Sequence, residues 1–262
     1  MILLENIYMK ISANAKIVII TGGVKGIGAA IASLFYKEGA TVVLLDILDP
    51  KKDNALKNNT MVRFYLCDVS NHEQVKKAFY EIQQEFGRVD ILVNNAGVQT
   101  YGKIGDIEED IWDKTLNVNL KSAFLCSKYA VSLMKNSDHP VIINISSVQA
   151  LVCEENVAAY VASKAGMLGL TKAIAVDYAP HIRCVAVCPG AVNTEMLKND
   201  LMRSEDPDSL LNYTKNIHLL DRIASPEEIA SFVLFLSSEQ ADFCTGQYYR
   251  IDGGIGSKIS IL

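Results

Sequence analysis

The sequence predicts a doubly wound α/β fold, in which a parallel sheet carries helices on both faces. Three observations point there. Short apolar, largely β-branched runs alternate with stretches whose apolar positions recur at helical spacing. Those runs are apolar throughout rather than at every second position, as strands buried on both faces must be. A glycine-rich turn joins the first run to the first helical stretch.

The elements follow in order. Residues 16–20 read as a strand ending in the turn Thr21-Gly22-Gly23-Val24-Lys25-Gly26-Ile27-Gly28, after which Ile27, Ala30, Ile31, Leu34 and Phe35 mark a helical face up to a stop at Gly39. Residues 41–45 and 61–66 are the next strands, 75–86 a helix closed by Gly87, and 89–93 a fourth strand. A long helical stretch covers about 110–135, a strand 141–145, a helix 157–178 and a sixth strand 182–187. Ser225-Pro-Glu-Glu starts a helix, with Ser as cap and Pro in the first turn, and 247–251 is the last strand.

No Pro/Gly/Ser-rich linker or charge run divides the 262 residues, so 1–262 is read as one domain with a polar stretch at about 195–217 serving as a lid over the substrate. Half the residues are hydrophobic and 21% charged, enough to build a sizeable core. A net charge of -5 and a pI near 5.4 give no support for nucleic-acid or anionic-membrane partners and leave a small molecule as the expected one. The apolar start Met1-Ile-Leu-Leu meets Glu5 too soon to be a secretory core or membrane span, so a cytoplasmic location is expected. Six cysteines without a CxxC pair read as structural thiols; Cys184 and Cys188, four residues apart on a strand, would be separated by about 13 Å. His72, His139, His181 and His218 show no ligand spacing and read as surface or loop residues, and no metal site is expected.

Chemistry enters at Tyr160-Val-Ala-Ser-Lys164. This spacing places a phenol and an ammonium one turn apart on one helical face, a pair able to act as acid and base. Chance supplies a Tyr four residues before a Lys about once in a chain this long. Tyr160 is nevertheless the only one of eleven tyrosines so placed. A phenol with a pKa near 10 needs help to ionise at neutral pH. Lys164, together with the positive charge of a nicotinamide, is expected to lower Tyr160 toward the working pH. In the glycine turn, Gly22, Gly26, Ile27 and Gly28 open a helix whose N-terminus and backbone N–H groups suit a pyrophosphate. Asp46, eighteen residues after Gly28, ends the second strand where a carboxylate can accept hydrogen bonds from an adenosine ribose. That favours NAD, because a 2'-phosphate would face the carboxylate with no Arg after it to compensate. Lys25 cuts the other way: it could meet a 2'-phosphate, leaving NADP open, or serve as a pyrophosphate counter-charge or a solvated loop charge.

The turn at 21–28, Asn94-Asn95-Ala96-Gly97, Asn119, Ser147, Tyr160 with Lys164, and Pro189-Gly190, all in register, resemble the short-chain dehydrogenase/reductase family. The resemblance implies a seven-stranded Rossmann sheet and a homotetramer or dimer. It further implies Tyr160 as general base for alcohol oxidation, Ser147 holding the substrate oxygen, and Tyr160 and Lys164 also touching the nucleotide. Asn119 is implied in a locally irregular helix whose exposed carbonyl positions a water against the lysine, and is preferred to Asn117 on its distance from Phe124. Asp68 and Val69 match an adenine-binding pair, and Asn95, Ala96 and Gly97 line the fourth strand's end, although each also fits a plain turn. Val192 and Thr194, after Pro189 and Gly190, match residues that hold the nicotinamide carboxamide. Ser146, beside Ser147, is given a backbone-capping role.

Substrate choice is expected from Ser147, Tyr160 and the loop with Gln149, Cys153, Glu154 and Asn156, together with the lid. Their polarity fits a hydroxyl-rich substrate, and equally fits surfaces that simply face water. Tyr101-Gly-Lys-Ile, Ser147-Val-Gln-Ala, Asp177-Tyr-Ala-Pro, Arg183-Cys184 and Cys188-Pro189 are similar to archaeal aldohexose dehydrogenases of the same family, which oxidise the anomeric hydroxyl to a lactone. An NAD-dependent sugar dehydrogenase leads. A reductase of 3-oxoacyl thioesters using NADPH is the alternative, and a cofactor-sensing module without chemistry is disfavoured by the intact Ser147, Tyr160 and Lys164. The apolar tail Ile259-Ser-Ile-Leu262 is expected to pack on a neighbouring subunit or on the active-site rim.

Overall fold

β-Branched, aromatic and other apolar residues make up most of β1 (Ile17–Thr21), β2 (Thr41–Asp46), β3 (Val62–Leu66), β4 (Ile91–Asn94), β5 (Val141–Ile145), β6 (Arg183–Pro189) and β7 (Tyr248–Ile251), which pair in parallel in the order β3-β2-β1-β4-β5-β6-β7. The computed structural model describes residues 11–49 and 60–257, so the apolar start and the 259–262 tail lie outside the described residues. The helices are α1 (Gly26–Lys37), α2 (His72–Phe86), α3 (Glu109–Leu116), α4 (Ser122–Met134), α5 (Ala158–Tyr178), α6 (Glu195–Arg203), α7 (Pro207–Asn216) and α8 (Pro226–Ser237). Strand and helix ends fall within a few residues of the sequence expectation, the usual latitude at element ends. The long helix expected over 110–135 is instead α3 and α4 joined by a π-helical turn at Asn117–Lys121, which is the local irregularity that the family resemblance implies.

Neighbouring residues on a strand point to opposite faces, so the all-apolar strands feed two cores. Ile20, Leu44, Val93, Ile143 and Val187 pack under Ile31 and Phe35 of α1 and Ile229 and Val233 of α8. Ile19, Val43, Leu92, Ile142 and Cys184 pack under Phe79 and Ile82 of α2 and Leu133 and Met134 of α4. Each such buried side chain contributes about 1.5–3 kcal/mol. Ser225 and Glu228 close a reciprocal capping box at the start of α8, and Gly87 ends α2 in the left-handed region at φ 67°.

Strand order reverses at β1, which lies between β2 and β4. In sheets of this kind ligands bind in the crevice outside the carboxyl ends at such a switch point. The glycine turn after β1, Asp46 on β2, Asn95 after β4, Ser147 after β5 and Pro189 on β6 therefore reach one edge of the sheet.

Candidate active site

The nucleotide end is bolted together by one threonine and one asparagine. Thr21 Oγ1 accepts the N–H groups of Asn95 and Ala96 at 2.9 and 3.0 Å, while Asn95 Nδ2 donates to the carbonyls of Thr21 and Gly22 at 3.0 Å each. Two glycines make this fit possible. Gly22 has φ +63°, and a Cβ there would sit 2.9 Å from the Ala96 Cα. A Cβ on Gly28 would lie 2.1 Å from the Gly22 carbonyl oxygen and 2.6 Å from Asn95 Nδ2. Gly26 turns α1 against Thr194, and Ile27 packs on the first core. Lys25 caps α1 in extended conformation with its side chain exposed and out of the cap.

Asp46 is buried at the end of β2, where its two carboxylate oxygens each accept an N–H at 3.0 Å, from Val24 in the glycine turn and from Leu48. Each oxygen keeps a lone pair for another donor. Further along the edge, Asp68 Oδ1 takes the N–H and hydroxyl of Ser70 at 2.9 and 2.7 Å beside the buried Val69, the geometry of an Asx turn. On the far side, Gly190 N–H donates to the Ile251 carbonyl, Val192 is buried in a bridge to Ala224, and Thr194 is the residue before α6. The glycine cradle, the free start of α1 and the paired Asp46 together suit a dinucleotide.

At the catalytic end the structure brings Ser147, Tyr160 and Lys164 together. Ser147 follows β5, its Oγ accepts the Gln149 N–H at 3.1 Å, and it stands beside the Tyr160 phenol, whose pKa it lowers. Lys164 Nζ donates to the Ile145 carbonyl at 2.8 Å and lies 5.8 Å from the Tyr160 ring centre. Of the two nearby asparagines, Asn119 is the buried one. Its Oδ1 accepts from Val98 N–H and its Nδ2 donates to the Val98 carbonyl and to Ser163 Oγ, at 2.8–2.9 Å. Gly97 fits between, since a Cβ there would stand 3.4 Å from both Asn119 Oδ1 and Lys164 Nζ. Ser146 caps no helix end: its hydroxyl donates to the Lys164 carbonyl inside α5 at 2.8 Å.

Electrostatics bear on the part of one expectation that rests on Lys164 alone. Instead of falling, the Tyr160 pKa is pushed up to about 12, chiefly by burial; Ser147 lowers it, and the charges of Glu154 and Asp200 raise it further. Lys164 gives too little help because burial lowers its own pKa to about 8.

The rim shows which residues the sequence reading missed. Tyr101 hydroxyl accepts from Gln99 Nε2 at 2.9 Å and bonds the carboxylate of Asp200 on α6, which also lies 3.9 Å from Arg203. Burial pushes Asp200 and Glu154 above the usual carboxylate range, while bonds from Tyr101 and Gln149 respectively hold them down. Gln149 Oε1 is buried without a partner among the described residues. The Gly102 N–H donates to Asn156 at 2.7 Å and braces the loop that carries the exposed Cys153. The stretch at 195–217 folds as α6 and α7, neither with a buried residue. His218, expected at the surface or in a loop, lies in the loop after α7 but is only 2% exposed, because both ring nitrogens find backbone partners inside the protein.

Comparison with known proteins agrees with this geometry. The family profile described as Enoyl-(Acyl carrier protein) reductase matches residues 22–256. The ligand-free structure of Thermoplasma acidophilum aldohexose dehydrogenase superposes with a TM-score of 0.89 at 39% identity, covering 95% of this chain and 97% of that one. The 3-oxoacyl-(acyl-carrier-protein) reductase of Thermotoga maritima is 36% identical over 92% of this chain and 98% of its own length. The NAD-dependent glycerol dehydrogenase of Listeria innocua is 35% identical over 91% and 93%.

Proposed function

The chain belongs to the short-chain dehydrogenase/reductase family of NAD(P)-dependent oxidoreductases, and on that premise we propose that it transfers hydride between NAD and a secondary or anomeric alcohol, with an aldose sugar as substrate. The observation that carries the reading is the meeting of Ser147 and Tyr160 over a buried Lys164 whose Nζ lies 5.8 Å from the phenol ring, roofed by a rim of hydroxyl-accepting groups. Ser147 holds the substrate oxygen and Tyr160 takes its proton. Lys164 and Asn119 pass that proton on, Lys164 being able to do so because its pKa of about 8 lies near the working range. Gly22, Lys25, Gly26, Ile27 and Gly28 cradle the pyrophosphate, Asp46 takes the adenosine ribose, Asp68 and Val69 the adenine, and Asn95, Ala96 and Gly97 the middle of the dinucleotide. Pro189, Gly190, Val192 and Thr194 hold its nicotinamide end. When bound, oxidised nicotinamide supplies the hydride acceptor and a positive charge that favours the Tyr160 phenolate.

Gln149, with its unpaired buried oxygen, and Glu154 accept hydrogen bonds from the substrate's other hydroxyls, and the lid of α6 and α7 closes over it. The sugar reading draws support from the similarity to an aldohexose dehydrogenase and the NAD reading from an NAD-dependent glycerol dehydrogenase. All six cysteines are free thiols, which suits the cytoplasm. An apolar groove between the end of α3, the π-helical turn, α4 and α5, lined by Leu116, Leu120, Phe124 and Leu170, supports assembly with further copies of the chain, as a homotetramer or dimer.

The second reading is an NADPH-dependent 3-oxoacyl thioester reductase, favoured by the Thermotoga maritima relative and by Lys25 exposed at the glycine turn. Two carboxylates at the rim and the buried Asp46 weigh against an anionic carrier and a 2'-phosphate. Initial rates with NAD and NADP against aldoses, simple secondary alcohols and 3-oxoacyl esters decide between the two. Activity confined to the thioesters with NADPH overturns the sugar reading.

A further inference from the structure

The two roots of the lid meet at one buried imidazole. His218 follows α7, and its Nδ1 lies 2.7 Å from the Thr214 carbonyl in the last turn of that helix. Its Nε2 lies 3.1 Å from the N–H of Ala191, in the loop that leads through Val192 to Thr194 and the start of α6. The amide can only donate and the carbonyl only accept, so both bonds form only when the ring is neutral with its hydrogen on Nδ1. Glycines leave room for the ring. A Cβ on Gly190 would lie 2.8 Å from Nε2, and one on Gly253, which has φ +56°, 3.2 Å from Cδ2. The Leu219 N–H then donates to the Gly253 carbonyl at 2.8 Å, fixing the same corner. Asp252 on this turn spends its carboxylate on the N–H groups of Gly254 and Gly256, with Arg250 3.8 Å away, so the imidazole is held by backbone alone.

We infer that His218 is a positioning residue that couples the lid to the loop 189–194, so that filling the loop and seating the lid become one event. The inference rests on the assignment of that loop to the nicotinamide end of the cofactor. The loop has little other freedom: Ala191 accepts from Ala224 N–H at 3.0 Å, and Asn193 N–H donates to the Ala224 carbonyl at 2.9 Å. A displacement of Ala191 therefore passes through the ring to the end of α7.

Two near-isosteric substitutions separate the bonds. In His218→Asn the side-chain amide nitrogen stands where Nδ1 stood and keeps the Thr214 bond; in His218→Gln the side-chain oxygen stands where Nε2 stood and keeps the Ala191 bond. Hydrogen exchange is followed on each protein with and without NADH, and NADH affinity is measured by its fluorescence. In the wild type NADH should slow exchange both in 189–194 and in α7. His218→Gln should keep NADH affinity and loop protection but lose protection of α7. His218→Asn should lose the protection of α7 and bind NADH more weakly, by up to about tenfold, the part of one hydrogen bond's value that the loop gains when it is filled. NADH protection of α7 that survives in both variants, with only the melting temperature lowered, makes His218 a purely structural staple and overturns the coupling. Protection of the loop without α7 in the wild type, which needs no variant to be seen, also overturns it and leaves the cofactor reading standing. A wild type bound by neither NADH nor NADPH overturns the cofactor reading and this inference with it.

Discussion

Asp46→Asn separates charge from shape at the residue assigned to choose the dinucleotide. The side chain is buried, so solvent screens it weakly. A unit charge about 5 Å from the carboxylate, at an effective dielectric near 20, is repelled by about 3 kcal/mol, a few hundredfold in affinity. The asparagine removes that repulsion. It also offers one acceptor oxygen where Asp46 offers two, so either the Val24 or the Leu48 N–H must face an NH2 group instead of the 3.0 Å bond it now makes. The lost bond costs about 1–3 kcal/mol and falls on the glycine turn that both dinucleotides use. NAD should therefore lose about tenfold or more in kcat/KM, while NADP, relieved of repulsion, should gain, moving the ratio by roughly two orders of magnitude. Initial rates at 340 nm with each dinucleotide and one alcohol measure it. A wild type that prefers NADP, or a ratio unmoved in Asp46→Asn, would refute the assignment.

Further outcomes follow from the same geometry. Tyr160→Phe should reduce turnover by at least about a thousandfold while NADH still binds, measured by fluorescence, and retained activity would remove the phenol from its role. Gly28→Ala drives a methyl to 2.1 Å from the Gly22 carbonyl oxygen, a backbone atom that cannot step aside, so dinucleotide binding should be lost and the melting temperature lowered. In the free protein, alkaline difference spectra between wild type and Tyr160→Phe should show this phenol titrating well above 10, toward 12; a transition near neutrality would show that Lys164 alone suffices. Asp200→Asn removes a charge that raises Tyr160, so the pH at which alcohol oxidation becomes half-maximal should move down, and an unchanged profile would place Asp200 outside the field of the base.

The fold was legible because the strands are buried on both faces: β2 and β6 are apolar along most of their length, and no other architecture hides them so fully. The groups on the sheet's carboxyl edge were legible for a related reason, since Asp46, Asn95 and Ser147 each stand where a strand stops and the backbone turns into the crevice. The rim was not. Asp200 and Tyr101 are ninety-nine positions apart, on a lid helix and on the segment after β4, and no spacing rule joins them. The burial of the loop residue His218 was not legible because its partners are backbone groups, which leave no trace in side-chain patterning.

Spacing also misled at the catalytic pair, for a physical reason that bears on how the site works. One helical turn brings Lys164 near Tyr160, but the same packing strips water from both, and desolvation acts on each against its charged form. It raises the phenol and lowers the amine, so the two pKa values move apart from the order that a phenolate–ammonium pair requires, to about 12 and about 8. Glu154 and Asp200 push the phenol in the same direction. By itself the protein therefore holds a neutral phenol beside Ser147, above a lysine whose proton is loosely held near pH 8 and which leans on the Ile145 carbonyl. Such a site does not deprotonate an alcohol that enters ahead of the cofactor. Proton abstraction becomes favourable only once a positive charge stands beside the phenol, so on the proposed function oxidised nicotinamide, when bound, should bring the phenol's titration down toward the working pH. The pH profile should show it: with saturating NAD, alcohol oxidation should reach half its maximum well below the pH at which this phenol titrates in the free protein, whereas coincidence of the two would mean that the cofactor's charge does not reach Tyr160.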